Sequence, residues 1–207
     1  VNKGYFSVDD AKILGDNNEV TGFRFGFLTD LDELSRDKEA RKMTFQSHFV
    51  LGKLMKKATD KYQYEITYDA GVRHLKTKHN EAGRGAEFSE LTVFDGRLFT
   101  ADDRTGDVFE ILNTKDGSDS YVTPRLVVGE GPGDTDKGMK WEWSTVKDGE
   151  MYLGSMGKEF TNKEGEIENR NNLWISIVNK EGQLRRVDWT DVYQKVREAV
   201  NAVHPNG

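Results

Sequence analysis

Acidic residues at the ends of apolar runs are the groups in this sequence best placed to do chemistry. Phe23, Phe25 and Phe27 alternate with other residues and lead directly into Thr29-Asp30-Leu31-Asp32. Paired carboxylates at a strand end, here Asp30 and Asp32, can bind a hard cation or orient a water. The same pattern also serves as a solvated turn. A second segment, Gly83-Arg84-Gly85-Ala86-Glu87-Phe88-Ser89, sets an arginine between two glycines. Glycine lets the backbone approach a ligand closely, and a guanidinium can hold phosphate through two parallel hydrogen bonds. If the segment is already extended, Glu87 and Ser89 share a face and offer two oxygens to calcium; otherwise it is a glycine turn before an ordinary strand. In Asp102-Asp103-Arg104-Thr105-Gly106, two acids and a base occupy a hairpin tip, a common turn composition.

Two further segments complete the set. In Gly138-Met139-Lys140-Trp141-Glu142-Trp143, Glu142 lies between two tryptophans after the acidic, glycine-rich stretch 129–138. A base or sugar could stack on such a ring; two core tryptophans with a rim acid read the same way. In Gly154-Ser155-Met156-Gly157-Lys158-Glu159-Phe160, Lys158 is a cation on a glycine-flanked turn that could meet a phosphate, or part of a plain loop.

Other chemistries are excluded. The glycines of 129–138 are not followed by Gly-Lys-Ser/Thr, so they form no P-loop. His48, His74, His79 and His204 show no metal-ligand spacing, and there is no EF-hand pattern and no His-Glu-x-x-His. Cysteine is absent, which removes a disulfide framework and a thiolate zinc site. No apolar run reaches the ~18 residues of a membrane span. The chain starts at Val1 without a signal-like stretch, as expected of a trimmed start. The net charge of −6 leaves no basic footprint for nucleic acid as a partner. An acidic chain that handles phosphate needs a cation to offset repulsion.

The elements that must position these residues are strands. Residues 1–22 read as a loose polar lead-in, with the structured domain over 23–207. The charged stretch 33–42 reads as a helical turn or a loop. After the strand ending at Asp30, strand signals recur at 47–56, 62–68, 89–94, 97–101, 107–112, 121–128, 143–147, 150–155, 173–179 and 183–188. Asp95-Gly96, Thr105-Gly106, Asp116-Gly117, Asp148-Gly149 and Glu181-Gly182 punctuate them. Asp-Gly between apolar runs marks a hairpin, because glycine tolerates the positive φ of a type I′ turn. The class is all-β: sandwich, barrel or propeller. Leu91–Asp102 and Ser144–Ser155 both read strand, Asp-Gly, strand, consistent with one propeller blade per repeat or with two ordinary hairpins. Near the end, Val192, Val196, Val200 and Val203 fall at helical spacing, with Thr190 or Asp191 as cap. That amphipathic helix is expected to pack outside the sheets.

Taken together and in this order, Phe25–Asp32 with Leu34-Ser35-Arg36, Gly83–Val93, Asp102–Gly106, Gly138–Asp148 and Gly154–Phe160 resemble the calcium-activated nucleotidase/apyrase family. The resemblance runs from about Phe23 to the end. It implies a five-bladed β-propeller with Ca2+ in the central tunnel, here incomplete at about three blades with a C-terminal amphipathic helix. Ser89 and Glu142 fall on calcium-ligand positions. Asp30 and Asp103 fall on acidic positions needed for activity, with Glu87 beside them. Arg84, Arg104, Lys158 and Asp32 are further candidates near the phosphates, and Trp141 stands where a small residue is expected.

The implied reaction is calcium-dependent hydrolysis of the terminal phosphates of nucleoside di- and triphosphates (UDP, GDP, ADP, ATP). The alternative is a non-catalytic propeller binding module derived from such an enzyme. The implied place of action is outside the cell or in the lumen of the secretory pathway, and a homodimer is among the assemblies open to it. Family members are longer, so about two blades and their calcium ligands are expected to lie beyond this chain. The 207 residues by themselves are expected to bind calcium weakly and to show little activity.

Overall fold

The computed structural model describes residues 11–58 and 60–205, with side chains outside 60–62. Its regular structure is almost entirely antiparallel strand. The first sheet contains β1 (Lys12–Leu14), β2 (Val20–Leu28), β3 (Phe45–Lys57), β4 (Asp60–Tyr68) and β5 (Arg73–Thr77), in the order β1-β2-β3-β4 with β5 also on β3. β3 is long enough to carry two partners: its second half pairs with β4 and its first half with β5. The second sheet runs in sequence order, β6 (Phe88–Phe94), β7 (Arg97–Asp102), β8 (Asp107–Asn113) and β9 (Ser120–Val127). The third contains β10 (Trp143–Lys147), β11 (Glu150–Gly154), β14 (Trp174–Val178) and β15 (Leu184–Asp188). A small hairpin of β12 (Phe160–Thr161) and β13 (Ile167–Asn169) interrupts it in sequence.

The hairpin signals are realised in the backbone. Asp95 and Gly96 have φ of 48° and 69°, and Asp148 and Gly149 have 53° and 78°, the paired left-handed geometry of a type I′ turn. The two similar stretches of sequence become the β6–β7 and β10–β11 hairpins, the first two strands of successive sheets, and β6 lies against β10.

The second sheet is covered on both faces, which is why β7 and β8 are near-continuous buried runs rather than alternating ones. Against one face Leu98, Phe109 and Ile111 meet Phe45, Phe49 and Leu75 of the first sheet. Against the other, Phe99, Ala101 and Val108 meet Met139, Trp141, Met151, Leu153 and Val178 from the third sheet and its approach. Trp141, fully buried, donates its indole N–H to the carbonyl of Gly106, so it is a core residue.

Several expectations are corrected. The lead-in is not wholly loose: β1 and the start of β2 form a pair within it, while residues 1–10 lie outside the described residues. The charged stretch is a helical turn and a loop as expected: residues 32–35 make one 3-10 turn, Arg36 bridges to Phe45, and a turn and bends follow. β5 gave no legible signal because only Leu75 and Thr77 point inward from a polar five-residue strand. The helix α1 (Thr190–Ala199) packs through Tyr193 and Arg197, not through its valines. Tyr193 accepts the Trp143 indole N–H at 3.1 Å and Arg197 pairs with Glu159 at 2.7 Å, leaving Val192, Val196 and Val200 exposed. Asp188, rather than Thr190 or Asp191, closes its N-terminus by accepting the Thr190 N–H and hydroxyl.

Candidate active site

Three carboxylates converge where the first and second sheets meet. Asp30 follows β2, Glu87 precedes β6 and Asp103 follows β7. One carboxylate oxygen from each lies within 4.8 Å of the others. Hydrogen bonds of the chain itself fix this convergence. The Asp103 amide donates to the Glu87 carbonyl at 3.1 Å, locking the two strand ends together. Asp30 Oδ1 accepts the Asp32 amide at 2.8 Å, closing the turn in which Asp32 takes a φ of 47°.

Fully buried Asp102 is the scaffold beneath them. It accepts the backbone N–H groups of Ala86 and Arg104, each at 2.9 Å, and so ties the Gly83–Glu87 segment to the Asp102–Gly106 tip. Burial pushes its carboxyl up to about 6, with the Asp103 charge adding to the shift against those two N–H donors.

Cations neutralise part of the acid. Arg84 holds buried Glu87 in a fork, Nε to Oε1 at 2.7 Å and Nη2 to Oε2 at 2.6 Å, and also reaches Asp32 at 3.1 Å. Lys140 donates to Asp103 Oδ2 at 2.6 Å and to Glu142. Burial works against this ammonium, but its bonds to the two carboxylates outweigh burial and hold it above the ordinary lysine value. Desolvation raises Glu87, and the Asp103 and Asp30 charges add to the rise despite Arg84. It also raises Asp30, the most open of the three, against the Asp32 amide and with help from the Asp103 and Asp32 charges. Asp103 Oδ1 is buried and has no hydrogen-bond partner among the described residues.

Ser89 and Glu142 come together by a different route. Ser89 donates its hydroxyl to the Trp141 carbonyl at 2.8 Å, one residue from Glu142, and Lys140 links Glu142 to Asp103. The structure therefore gathers Asp30, Asp32, Arg84, Glu87, Ser89, Asp103 and Glu142 into one neighbourhood. Arg104 turns instead to Glu81 at 2.8 Å. Lys158 is exposed and makes no ion pair among the described residues. Glu87 and Ser89 do not share one face of a regular strand: β6 begins at Phe88 and its register shifts between Phe88 and Glu90, so Glu87 is buried while Ser89 bonds to Trp141.

A family model described as Apyrase matches residues 31–206. The chain belongs to the apyrase family. It is 38% identical over 192 residues to an apyrase of Cimex lectularius, across 92% of this chain and 50% of that protein. It is 36% identical over 186 residues to soluble calcium-activated nucleotidase 1 of Mus musculus, across 89% and 43%. With apyrase apy-1 of Caenorhabditis elegans it shares 35% over 179 residues, 86% and 47%. The chain thus spans half or less of the length of these relatives. The apyrase match takes in every candidate residue except Asp30, which lies immediately before it.

Reading the sequence missed two participants, Asp102 and Lys140. Asp102 sits in the quoted hairpin tip, but which of two adjacent acids turns inward depends on strand parity. Lys140 is an ordinary surface residue until Trp141, anchored in the core, fixes the segment before β10 on which it stands.

Proposed function

We propose that this apyrase-family chain carries the site for calcium-dependent removal of terminal phosphate from nucleoside di- and triphosphates. The products are nucleoside monophosphate and phosphate. The observation that carries the reading is the triad of carboxylate oxygens from Asp30, Glu87 and Asp103, flanked by Arg84 and Lys140.

The donor set fits a hard cation. It is made of carboxylate and hydroxyl oxygens, with a buried Asp103 oxygen that no group among the described residues satisfies. Ser89 and Glu142, on adjoining sheets, would hold calcium as part of its shell of about six to eight oxygens. Bound calcium would neutralise phosphate oxygens and fix their orientation. In this reading Asp30 or Asp103 orients the attacking water and takes its proton. Burial raises the affinity of Asp30 for a proton above that of an ordinary aspartate, which suits a base. Arg84 offers phosphate a planar fork while holding Glu87 in place. Arg104, Lys158 and Asp32 are assigned to the substrate's approach. No covalent intermediate is required, only positioning and charge stabilisation.

The propeller reading belongs to the same proposal. Three antiparallel sheets, each built largely from strands consecutive in the chain, stack face to face, and their β2, β6 and β10 strands lie next to one another. We read them as successive blades of a five-bladed ring, with the carboxylates at its axis. The compartment is proposed as extracellular or secretory-lumenal. Among the described residues no helix is long and apolar enough to cross a membrane.

The test is product analysis after incubation with UDP, ADP and ATP, each in calcium, in magnesium and in chelator. Nucleoside monophosphate accumulating with calcium is the expected result. Nucleotide binding without turnover, by this chain and by a longer polypeptide that contains it, would favour the non-catalytic binding module.

A further inference from the structure

Lys140 touches two acids that belong to different sheets. Its ammonium lies 2.6 Å from Asp103, which follows β7 of the second sheet, and also contacts Glu142, which leads into β10 of the third. The backbone holds both partners in place independently. The Asp103 amide is bonded to Glu87, and the Glu142 amide donates to the Gly154 carbonyl at 2.9 Å. The backbone at both acids is therefore held whether or not the lysine is there. Among the described residues, the nearby acids Asp30, Asp32 and Glu87 have only Arg84 as a directly paired cation.

The two cations differ in kind. Arg84 is a rigid fork wedged on a fully buried carboxylate. Lys140 is a compact charge on a flexible stem, about one-third exposed, with an exit to solvent. A charge held by two fixed acids and free to swing away is suited to exchange with another cation.

We propose that Lys140 is a built-in competitor of the divalent cation, neutralising Asp103 and Glu142 in its absence and limiting the affinity with which it binds. This rests on the cation reading given above. Lys140 is on this view a positioning residue: it keeps the acidic neighbourhood folded without metal and gives way when metal arrives. The affinity of the site is then set by the exchange of one cation for another, and the chain becomes responsive to calcium rather than permanently loaded.

A merely structural lysine makes the opposite prediction. If it orients Glu142 for the metal, losing it weakens binding. If it competes, losing it tightens binding, by about tenfold for a unit charge removed at close range in a partly solvated site.

The experiment is calorimetric titration with calcium chloride alone on the unaltered chain, Lys140→Met and Lys140→Arg. Melting curves of the same three proteins in chelator and in calcium accompany it. Lys140→Met is expected to bind calcium about tenfold more tightly, to melt lower in chelator and to gain more from calcium than the unaltered chain. Lys140→Arg, which keeps the charge, is expected to stay near the unaltered affinity. Binding that appears only in Lys140→Met also supports the proposal. Unchanged or weaker binding by Lys140→Met, with the unaltered chain binding normally, overturns it and leaves the cation site standing. If neither the unaltered chain nor Lys140→Met binds calcium, the cation reading falls and takes this inference with it.

Discussion

Arg84 and Glu87, three residues apart, close a two-bond fork of 2.7 and 2.6 Å around a carboxylate with no exposure to solvent. The pair turns a glycine-rich loop into a fixed edge of the acidic neighbourhood. Removing one partner strands the other. Arg84→Met is expected to destabilise the chain by about 3 kcal/mol near pH 7, because a buried carboxylate is left uncompensated. Without Arg84 the Glu87 carboxyl rises further above its ordinary value, so the penalty applies above that raised value and shrinks as the pH falls through it. Urea unfolding of both proteins at pH 7 and pH 5 measures this, with a smaller gap expected at pH 5.

Asp102 gives a second pH dependence, with its own window. Its folded value of about 6 lies above the ordinary aspartate value of 3.8, so the folded state binds the proton more tightly. Stability from this group is fully present below about 3.8 and is lost as the pH rises to about 6, by roughly 3 kcal/mol in total. Asp102→Asn cannot titrate. Subtracting the variant's unfolding free energy from that of the unaltered chain across pH 4 to 7 is expected to show a decline through this window and none above it. A difference that does not change with pH would contradict the assignment.

Gly106 is one of the tight backbone approaches in the neighbourhood. Its φ is +75°, and a Cβ there would meet the Val128 carbonyl at 2.3 Å and the Met139 amide at 2.7 Å, neither of which can swing aside. Gly106→Ala is expected to cost about 4 kcal/mol, at the diagnostic end of single substitutions. Gly96→Ala, at a hairpin tip with open space around it, is expected to cost only about 1 kcal/mol for the positive φ. Thermal melting of the two variants checks the contrast.

Helix α1 separates pattern from packing. Val196→Lys is expected to change stability by no more than about 0.5 kcal/mol, since Val196 is 61% exposed. Tyr193→Ala is expected to cost about 3 kcal/mol, because its ring packs on Gly157 and Trp189 and its hydroxyl meets Trp143. Chemical denaturation of both variants decides which face the helix uses.

Much of this molecule could be read from sequence, for local reasons. Asp-Gly turns and period-2 runs are self-contained signals, so β6–β7 and β10–β11 could be placed by eye. The site residues were legible as motifs, and Asp30, Glu87 and Asp103 do converge. What escaped depends on tertiary contact. β5 is a strand because β3 offers it an edge. The α1 valines match a core-facing stripe, yet a tyrosine and an arginine do the packing. Lys140 became visible only when Asp103 and Glu142, 39 positions apart in the sequence, were seen to flank it.

The central claim is that the carboxylate neighbourhood hydrolyses phosphoanhydrides with calcium. Its most direct test is phosphate release from UDP by the unaltered chain and by Asp103→Asn, each in calcium and in excess chelator, with calcium binding measured in parallel. The account predicts release by the unaltered chain in calcium only, and loss of at least about a hundredfold in Asp103→Asn, the scale of one general base. Release indifferent to calcium or to Asp103, or no release from this chain and from a longer polypeptide that contains it although both bind calcium, would contradict it.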